Sequence, residues 1–288
     1  MKLIDLNSNS LGDLVAALPY VQLWSEQHAT QVTVKTNLIF RSLFKQTYPN
    51  IRFTDTLEGW HEADIVRIWY KFDRAVQAGY AEQLGFENPT YIRPKIDRII
   101  KDRPIQQLYV TFGVHSTAQL KYWNSANGRA GQTPATNWNK LCKMIKSTGR
   151  TPVCLSEYEL FGKEPEWNGL PAESHKVFTD LEHVINWIWH SEFFIGPSSG
   201  LAWLAHALDK PVVMIANFTK DWNEFDINLK DYKRITDESV CHGCWHTEKF
   251  DSSNWYWCPK HANTDREFEC HKAITPEKVF NAIKEWLT

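Results

Sequence analysis

Four of the six cysteines lie in the last quarter of the chain, as Cys241-His242-Gly243-Cys244, then Cys258, then Cys270, while Cys142 and Cys154 are scattered upstream. A C-x2-C knuckle followed by two further cysteines within about thirty residues has the spacing of a tetrathiolate metal site, and Gly243 lets the backbone turn toward the ion. Structural zinc is the default for four thiolates, and iron takes the same ligands. Four thiolates leave no open coordination position, so a catalytic metal is not expected. His242, His246, His261 and His271 lie nearby. One of them can displace a cysteine, although a histidine in such a segment is more often a surface or hydrogen-bonded residue.

Three polar stretches follow apolar runs. Gly196-Pro197-Ser198-Ser199-Gly200-Leu201 reads as a strand end passing into a helix start. Free backbone N–H groups there, with the Ser198 and Ser199 hydroxyls, suit a phosphate. The same residues also make an ordinary capped turn. Ser10-Leu11-Gly12-Asp13 has the form of a capping box, which needs no chemistry. Its other reading is a general base at a helix head, where the dipole favours the ionised carboxylate. Ser116-Thr117-Ala118-Gln119-Leu120-Lys121-Tyr122-Trp123-Asn124 follows another apolar run. Lys121 can neutralise a diphosphate and Thr117 can donate a hydrogen bond to it; alone, the stretch reads as a surface loop. No Asp-x-Asp occurs in the sequence, which favours a metal-independent arrangement in which Lys121 and a helix start take the place of a divalent ion.

The chain's 288 residues are enough for two domains. A net charge of -2 gives no footprint for nucleic acid or an anionic membrane. No apolar run reaches the length of a membrane span, and the start, Met1-Lys2-Leu3-Ile4-Asp5, lacks a signal peptide's apolar core. The expected place is the cytosol, where cysteine clusters act as metal ligands rather than disulfides. The 14 Trp and 10 Tyr can stack on sugars or bases, but large aromatics more often fill cores and interfaces.

Hydrophobic periodicity predicts strands at 3–6, 31–36, 51–53 and 65–69. Helices are predicted from Leu11, with Pro19 interrupting and kinking it, and over 39–44. The segment 85–104, with Pro89, Pro94 and Pro104, reads as a connection. The alternation restarts with strands at 108–112, 153–155, 176–178, 193–195 and 211–215 and helices at 138–147, 181–190 and 198–208. Cys241 to Cys270 cannot build a core alone, so a metal is a plausible staple. Thr275-Pro276 caps a final helix with Val279 and Ile283 on its apolar face. The predicted domains are 1–104, 105–240 and 241–288. This is an α/β chain of two Rossmann-like domains, an arrangement shared by many glycosyltransferases, with a ligand expected in the cleft at the strands' carboxyl ends.

Ser10-Leu-Gly-Asp-Leu-Val-Ala-Ala-Leu-Pro19, the block 116–124, Phe194-Ile-Gly-Pro-Ser-Ser-Gly-Leu-Ala-Trp-Leu204 continuing to Val213, and the cysteine segment span nearly the whole chain. That segment includes Trp255-Tyr-Trp-Cys-Pro259 and Phe268-Glu-Cys270. Through these blocks the chain resembles the bacterial autotransporter heptosyltransferases, relatives of the lipopolysaccharide heptosyltransferases of glycosyltransferase family 9. The resemblance implies a GT-B-like fold, two Rossmann-like domains facing a cleft, with a C-terminal cysteine metal finger. It implies transfer of heptose from ADP-heptose to protein serine, with inversion at the sugar carbon. Asp13 then matches the base. Thr117, Gln119 and Lys121 fall in the donor-diphosphate block, and Ser199, Gly200 and Leu201 in the second phosphate turn. Glu224 and Phe225 approach the nucleotide. Cys241, Cys244, Cys258 and Cys270 match an iron finger, which favours iron over zinc.

Family members carry an additional amino-terminal region that serves assembly and acceptor recognition, whereas this chain starts almost directly at the Asp13 loop. That departure counts against the large ring-shaped homo-oligomer and the adhesin acceptor and leaves the donor chemistry as the expectation. The expectation is an inverting glycosyltransferase in which Asp13 accepts the acceptor's proton while Lys121 and the helix start at Ser198 stabilise departing ADP. Two other readings compete. One keeps the fold with another nucleotide sugar and a different protein, a glycan or a nucleic acid as acceptor. The other is a non-catalytic nucleotide- or partner-binding module.

Overall fold

A computed structural model of the chain describes residues 1–98, 101–116, 123, 136–156, 169–254 and 256–288. The first lobe carries β1 (Lys2–Asp5), α1 (Leu11–Gln27), β2 (Val32–Lys35), β3 (Ile51–Thr54), β4 (Ile65–Arg67) and α2 (Val76–Gln83). The second carries β5 (Tyr109–Phe112), α3 (Thr136–Lys146), β6 (Thr151–Leu155), β7 (His175–Val177), α4 (Leu181–His190), β8 (Phe194–Pro197), α5 (Gly200–Ala207), β9 (Val212–Ile215) and β10 (Tyr232–Ile235). Then follow α6 (Cys244–Thr247), α7 (Glu269–Lys272) and α8 (Pro276–Ile283).

Both sheets are parallel, in the orders β3-β2-β1-β4 and β10-β9-β8-β5-β6-β7. Runs such as Val212-Val-Met-Ile215 are buried at every position, as a sheet covered on both faces requires. Counted within each lobe, the first, second, third and fourth strands take the order 3-2-1-4 in both. The reversal lies between β1 and β4 in one lobe and between β5 and β8 in the other. Connections leave such a point in opposite directions, and a crevice opens at the strands' carboxyl ends. Asp13 follows β1, Tyr70 follows β4, Ser116 follows β5 and Ser198 follows β8, so all four stand at the two crevices.

Helix α1 runs unbroken from Leu11 to Gln27 with Pro19 inside it, so the expected interruption does not occur. Among the described residues, α2, β10 and the short α6 and α7 were not legible in the sequence. The α2 segment reads Val-Gln-Ala-Gly-Tyr-Ala-Glu-Gln, with no apolar stripe. It is held instead by buried Gln77, whose amide donates to Ala16 O and Ile92 O and accepts from the Ile92 N–H. Strand β10, Tyr-Lys-Arg-Ile, lies on the sheet edge with its two central residues only partly buried.

One continuous core joins the lobes through α1, α2 and α5. A second lies on the other face of the larger sheet, where Val279 and Ile283 of α8 and the nearby Leu287 meet Val110, Phe112 and Ile195. Thr275 caps α8 as expected, its hydroxyl accepting from Lys278 N at 3.2 Å. Among the described residues, no helix is long and apolar enough to cross a membrane.

The heads of α1 and α5 meet through glycine. A Cβ on Gly12 would lie 3.1 Å from Trp203 Cδ1 and 3.5 Å from Gly200 Cα; one on Gly200 would lie 3.3 Å from Leu11 Cβ. Further along α5, His206 is fully buried, stacked on Phe225 at 4.2 Å, with neither ring nitrogen hydrogen-bonded. Burial, and then the charge of Arg93, push its pKa down to about 3, against the opposing pull of Asp231 and Asp209.

Gly200→Val is expected to destabilise the protein by ~1–3 kcal/mol through overpacking at the α1–α5 contact. An unchanged urea midpoint would count against that tight approach. His206 also makes stability depend on pH. Below about pH 6.5 the unfolded ring takes up a proton that the folded ring refuses until about 3. The contribution is complete above 6.5 and is lost as pH falls, the slope approaching ~1.4 kcal/mol per pH unit. Denaturation midpoints between pH 7 and 5 should fall less steeply for His206→Gln than for the parent; parallel curves would refute the assignment.

Candidate active site

Asp13 is the third residue of α1 and half-buried. The capping-box reading is not realised, because Ser10 makes no side-chain cap bond and its own N–H donates to Ser8 Oγ at 3.1 Å. The Ser8 hydroxyl in turn donates to Asp13 Oδ2 at 2.6 Å. The carboxylate thus stands at the positive end of α1, with the Ser8 hydroxyl among the groups that orient it. Buried Tyr80 and half-buried Tyr70 lie within its field. Burial is the main cause that raises both phenols above the ordinary tyrosine range, and the Asp13 charge adds to it.

The Ser198–Leu201 turn stands beside this loop, through the Gly12–Gly200 contact. Ser199 is the N-cap of α5 but makes no cap bond, and among the described residues its buried Oγ has no hydrogen-bond partner. Such a hydroxyl at a helix N-terminus, beside the first backbone N–H groups of the helix, fits an oxyanion ligand. Ser116 Oγ donates to Ser198 O at 3.3 Å, which ties the start of the loop after β5 to the same turn. Beside it, His115 Nδ1 lies 3.2 Å from Ser156 Oγ at the carboxyl ends of β5 and β6. Thr117, Gln119 and Lys121 lie outside the described residues.

Glu224 is buried and its carboxylate is fully engaged. Thr219 Oγ1 and Asn223 Nδ2 each donate to Oε1 at 2.8 Å, and Arg234 Nη1 donates to Oε2 at 2.9 Å. Arg234 also donates to Ala216 O at 2.7 Å, so the pair pins the loop after β9. The Glu224 carboxylate can only accept, which fixes the Asn223 amide and leaves its Oδ1 to accept from the Tyr70 hydroxyl at 3.0 Å. Phe225 is likewise buried, between His206 and Trp203.

The cysteine segment hangs on the same loop. Gly243 takes φ +70°, a region that glycine enters without strain, and its N–H donates to Asn217 O at 3.0 Å. Trp245 N–H donates to Phe218 O at 3.2 Å. The segment's core is small, with Phe218, Cys244, Trp257 and Phe268 buried. Cys241 and Cys244 Sγ are 4.0 Å apart. Burial raises the Cys244 thiol to about 12, with Cys241 adding to it, and burial raises Cys270, with Cys258, Cys244 and Cys241 adding to it. The four sulfurs are therefore within one another's fields. Among the described residues, Cys241, His261 and Glu269 also offer ligand atoms within 4.8 Å of one another. Glu269 is already committed to Arg266 at 2.7 and 2.8 Å and to the Cys241 N–H at 2.9 Å.

Tyr70, Tyr80, Asn223 and Trp245, which surround the carboxylate or hold that wall, were not named from the sequence. A usable signal existed for Tyr70, which follows a predicted strand in the position where ligands bind.

No family model matches the chain. It is 31% identical to the autotransporter heptosyltransferase Aah of Escherichia coli over 98% of this chain and 73% of the relative. It is 30% identical to the autotransporter heptosyltransferase TibC of Escherichia coli O78:H11 over 98% and 70%. A more distant relative at 24%, BimC of Burkholderia thailandensis, covered to 68%, is described as inactive. The crystal structure of TibC, an iron-containing dodecameric glycosyltransferase, superposes with a TM-score of 0.86 and 28% identity, covering 99% of this chain and 75% of that one. TibC has also been solved in complex with ADP-D-beta-D-heptose. Lipopolysaccharide heptosyltransferase II of E. coli shares the fold, with a TM-score of 0.59 at 12% identity over 100% of this chain and 98% of that one. Two parallel sheets with matching crevices, joined at the heads of α1 and α5, and this extent of similarity place the chain in the autotransporter heptosyltransferase family of glycosyltransferases.

Proposed function

We propose that the protein transfers heptose from ADP-heptose to a hydroxyl of an acceptor, protein serine above all, with inversion at the sugar carbon. The observation that carries this reading is the contact of Gly12 with Gly200, which sets a carboxylate beside a turn suited to phosphate. Asp13 takes the proton from the acceptor hydroxyl as its oxygen attacks the anomeric carbon. The bond from that carbon to the diphosphate oxygen breaks, and ADP leaves with the electron pair. The α5 N–H groups with Ser198, Ser199, Gly200 and Leu201 hold the developing charge. Lys121, Thr117 and Gln119 are assigned to the donor diphosphate in this reading from their sequence block alone. Glu224, assigned to the donor, acts on it indirectly in this reading, by holding the loop after β9 with Arg234. The domains are read as 1–104, 105–240 and 241–288, although the core of α8 is shared with the second lobe.

Cys241, Cys244, Cys258 and Cys270 form a structural metal finger in this reading. The 4.0 Å separation of Cys241 and Cys244 suits two ligands of one ion, since bonds of ~2.3 Å in a tetrahedron put sulfurs ~3.8 Å apart. Iron is the favoured metal, because TibC is iron-containing. Bound metal would hold the small finger together and keep its thiolates deprotonated. In this reading the protein resides in the cytosol, which suits cysteines held as metal ligands, and forms homo-oligomers, a part of the reading supported by the dodecameric TibC.

Asp13→Asn is expected to abolish heptose transfer, read by mass spectrometry of proteins from cells with an intact ADP-heptose supply, while ADP binding by calorimetry persists. An active Asp13→Asn protein would overturn the assignment of the base. A parent protein that binds donor but never turns it over would favour a binding module instead, a reading kept open by the inactive BimC. Cys241→Ser is expected to lower soluble yield and metal content; full metal occupancy by elemental analysis would dismiss the finger.

A further inference from the structure

We propose that Tyr70 is a positioning residue, through which the cysteine finger and the loop after β9 fix the cleft wall beside Asp13. The proposal rests on the reading of Asp13 as the base.

Tyr70 belongs to the first lobe, at the carboxyl end of β4, yet both hydrogen bonds of its hydroxyl go to the second half of the chain. It accepts from Trp245 Nε1 at 2.7 Å and donates to Asn223 Oδ1 at 3.0 Å. Each partner is itself held. Asn223 is buried and locked by the Glu224–Arg234 pair, and its carbonyl accepts from Val76 N at 2.9 Å. Trp245 directly follows Cys244 in the knuckle, its backbone tied to Phe218. A parallel tie joins the next residue, His246, whose Nδ1 donates to Phe72 O at 2.5 Å. The Trp245 ring lies 5.2 Å from Phe72 and 6.1 Å from Tyr70. A hydroxyl with its proton and one lone pair both committed across the lobes acts as a tether. Order in the finger therefore reaches the Tyr70 hydroxyl through the Trp245 indole N–H, with the His246–Phe72 bond beside it. An ordinary packing contact would need only the ring; this arrangement needs the oxygen.

Tyr70→Phe and Trp245→Phe keep the rings and remove one bonding atom each. Each is expected to lower kcat for ADP release from ADP-heptose ~10-fold or more, because small misplacements at a reacting centre are costly. Calorimetric affinity for ADP and metal content should stay at parent values. The double variant should be no slower than the slower single variant, as for two ends of one link. A second readout does not depend on turnover. In protein labelled at tyrosine 13Cζ, the resonance lost in Tyr70→Phe identifies Tyr70, and Trp245→Phe should shift it. An unmoved resonance, additive rate losses, or ADP affinity falling in step with rate would each overturn the tether. If the parent protein never turns over ADP-heptose, the proposed reaction fails, and the Tyr70 resonance alone decides the tether.

Discussion

Two helix heads pressed together make an awkward contact. Each N-terminus carries partial positive charge, and α1 and α5 approach there through Gly12 and Gly200, with Trp203 and Leu11 packed against the two glycines. Like ends repel unless negative charge is placed among them. Asp13 supplies one anion from within the chain, at the head of α1. A bound diphosphate would supply the other, at the head of α5. The contact that joins the lobes thus creates an electrostatic demand that the Asp13 carboxylate meets in part and a bound phosphate would meet further. The missing Cβ atoms at Gly12 and Gly200 let the backbones come close enough for that demand to be strong.

The rest of the cleft is built on a buried ion pair. Arg234 and Glu224 have side chains 2% and 0% exposed, so each would be costly without the other. Their geometry does more than cancel charge: it sets the amide of Asn223, and Asn223 meets Tyr70 from the opposite lobe. The cysteine segment leans on the same loop through Asn217 and Phe218. It adds only Cys244, Trp257 and Phe268 to a small core around Phe218, which is the condition under which a metal contributes folding free energy.

The sheets were legible in the sequence because buried parallel strands are short apolar runs, and those runs fall where β1, β2, β3, β5, β6 and β9 do. Helix α2 was not legible, because its stability comes from one buried glutamine amide rather than from an apolar stripe. Around Asp13 the sequence supported two readings equally. The capping box is not formed because of where Ser10 and Ser8 point, a matter of side-chain geometry that no spacing encodes. Glu224 could be named but not understood, since its partner lies ten residues on, across a turn and in an edge strand. Tyr70 and Trp245 were hidden among many aromatics; only the fold brings residues 175 positions apart into one hydrogen bond.

Helix α8 covers a face of the larger sheet that α3 alone does not fill, with Val279, Ile283 and Leu287 set against Val110, Phe112 and Ile195. During synthesis the first lobe leaves the ribosome with its own strands and helices already made. The second lobe must wait, one flank of its sheet bare, until these late residues emerge. The nascent chain is therefore most in need of shielding by chaperones in that interval, after β9 has been translated and before α8 has docked.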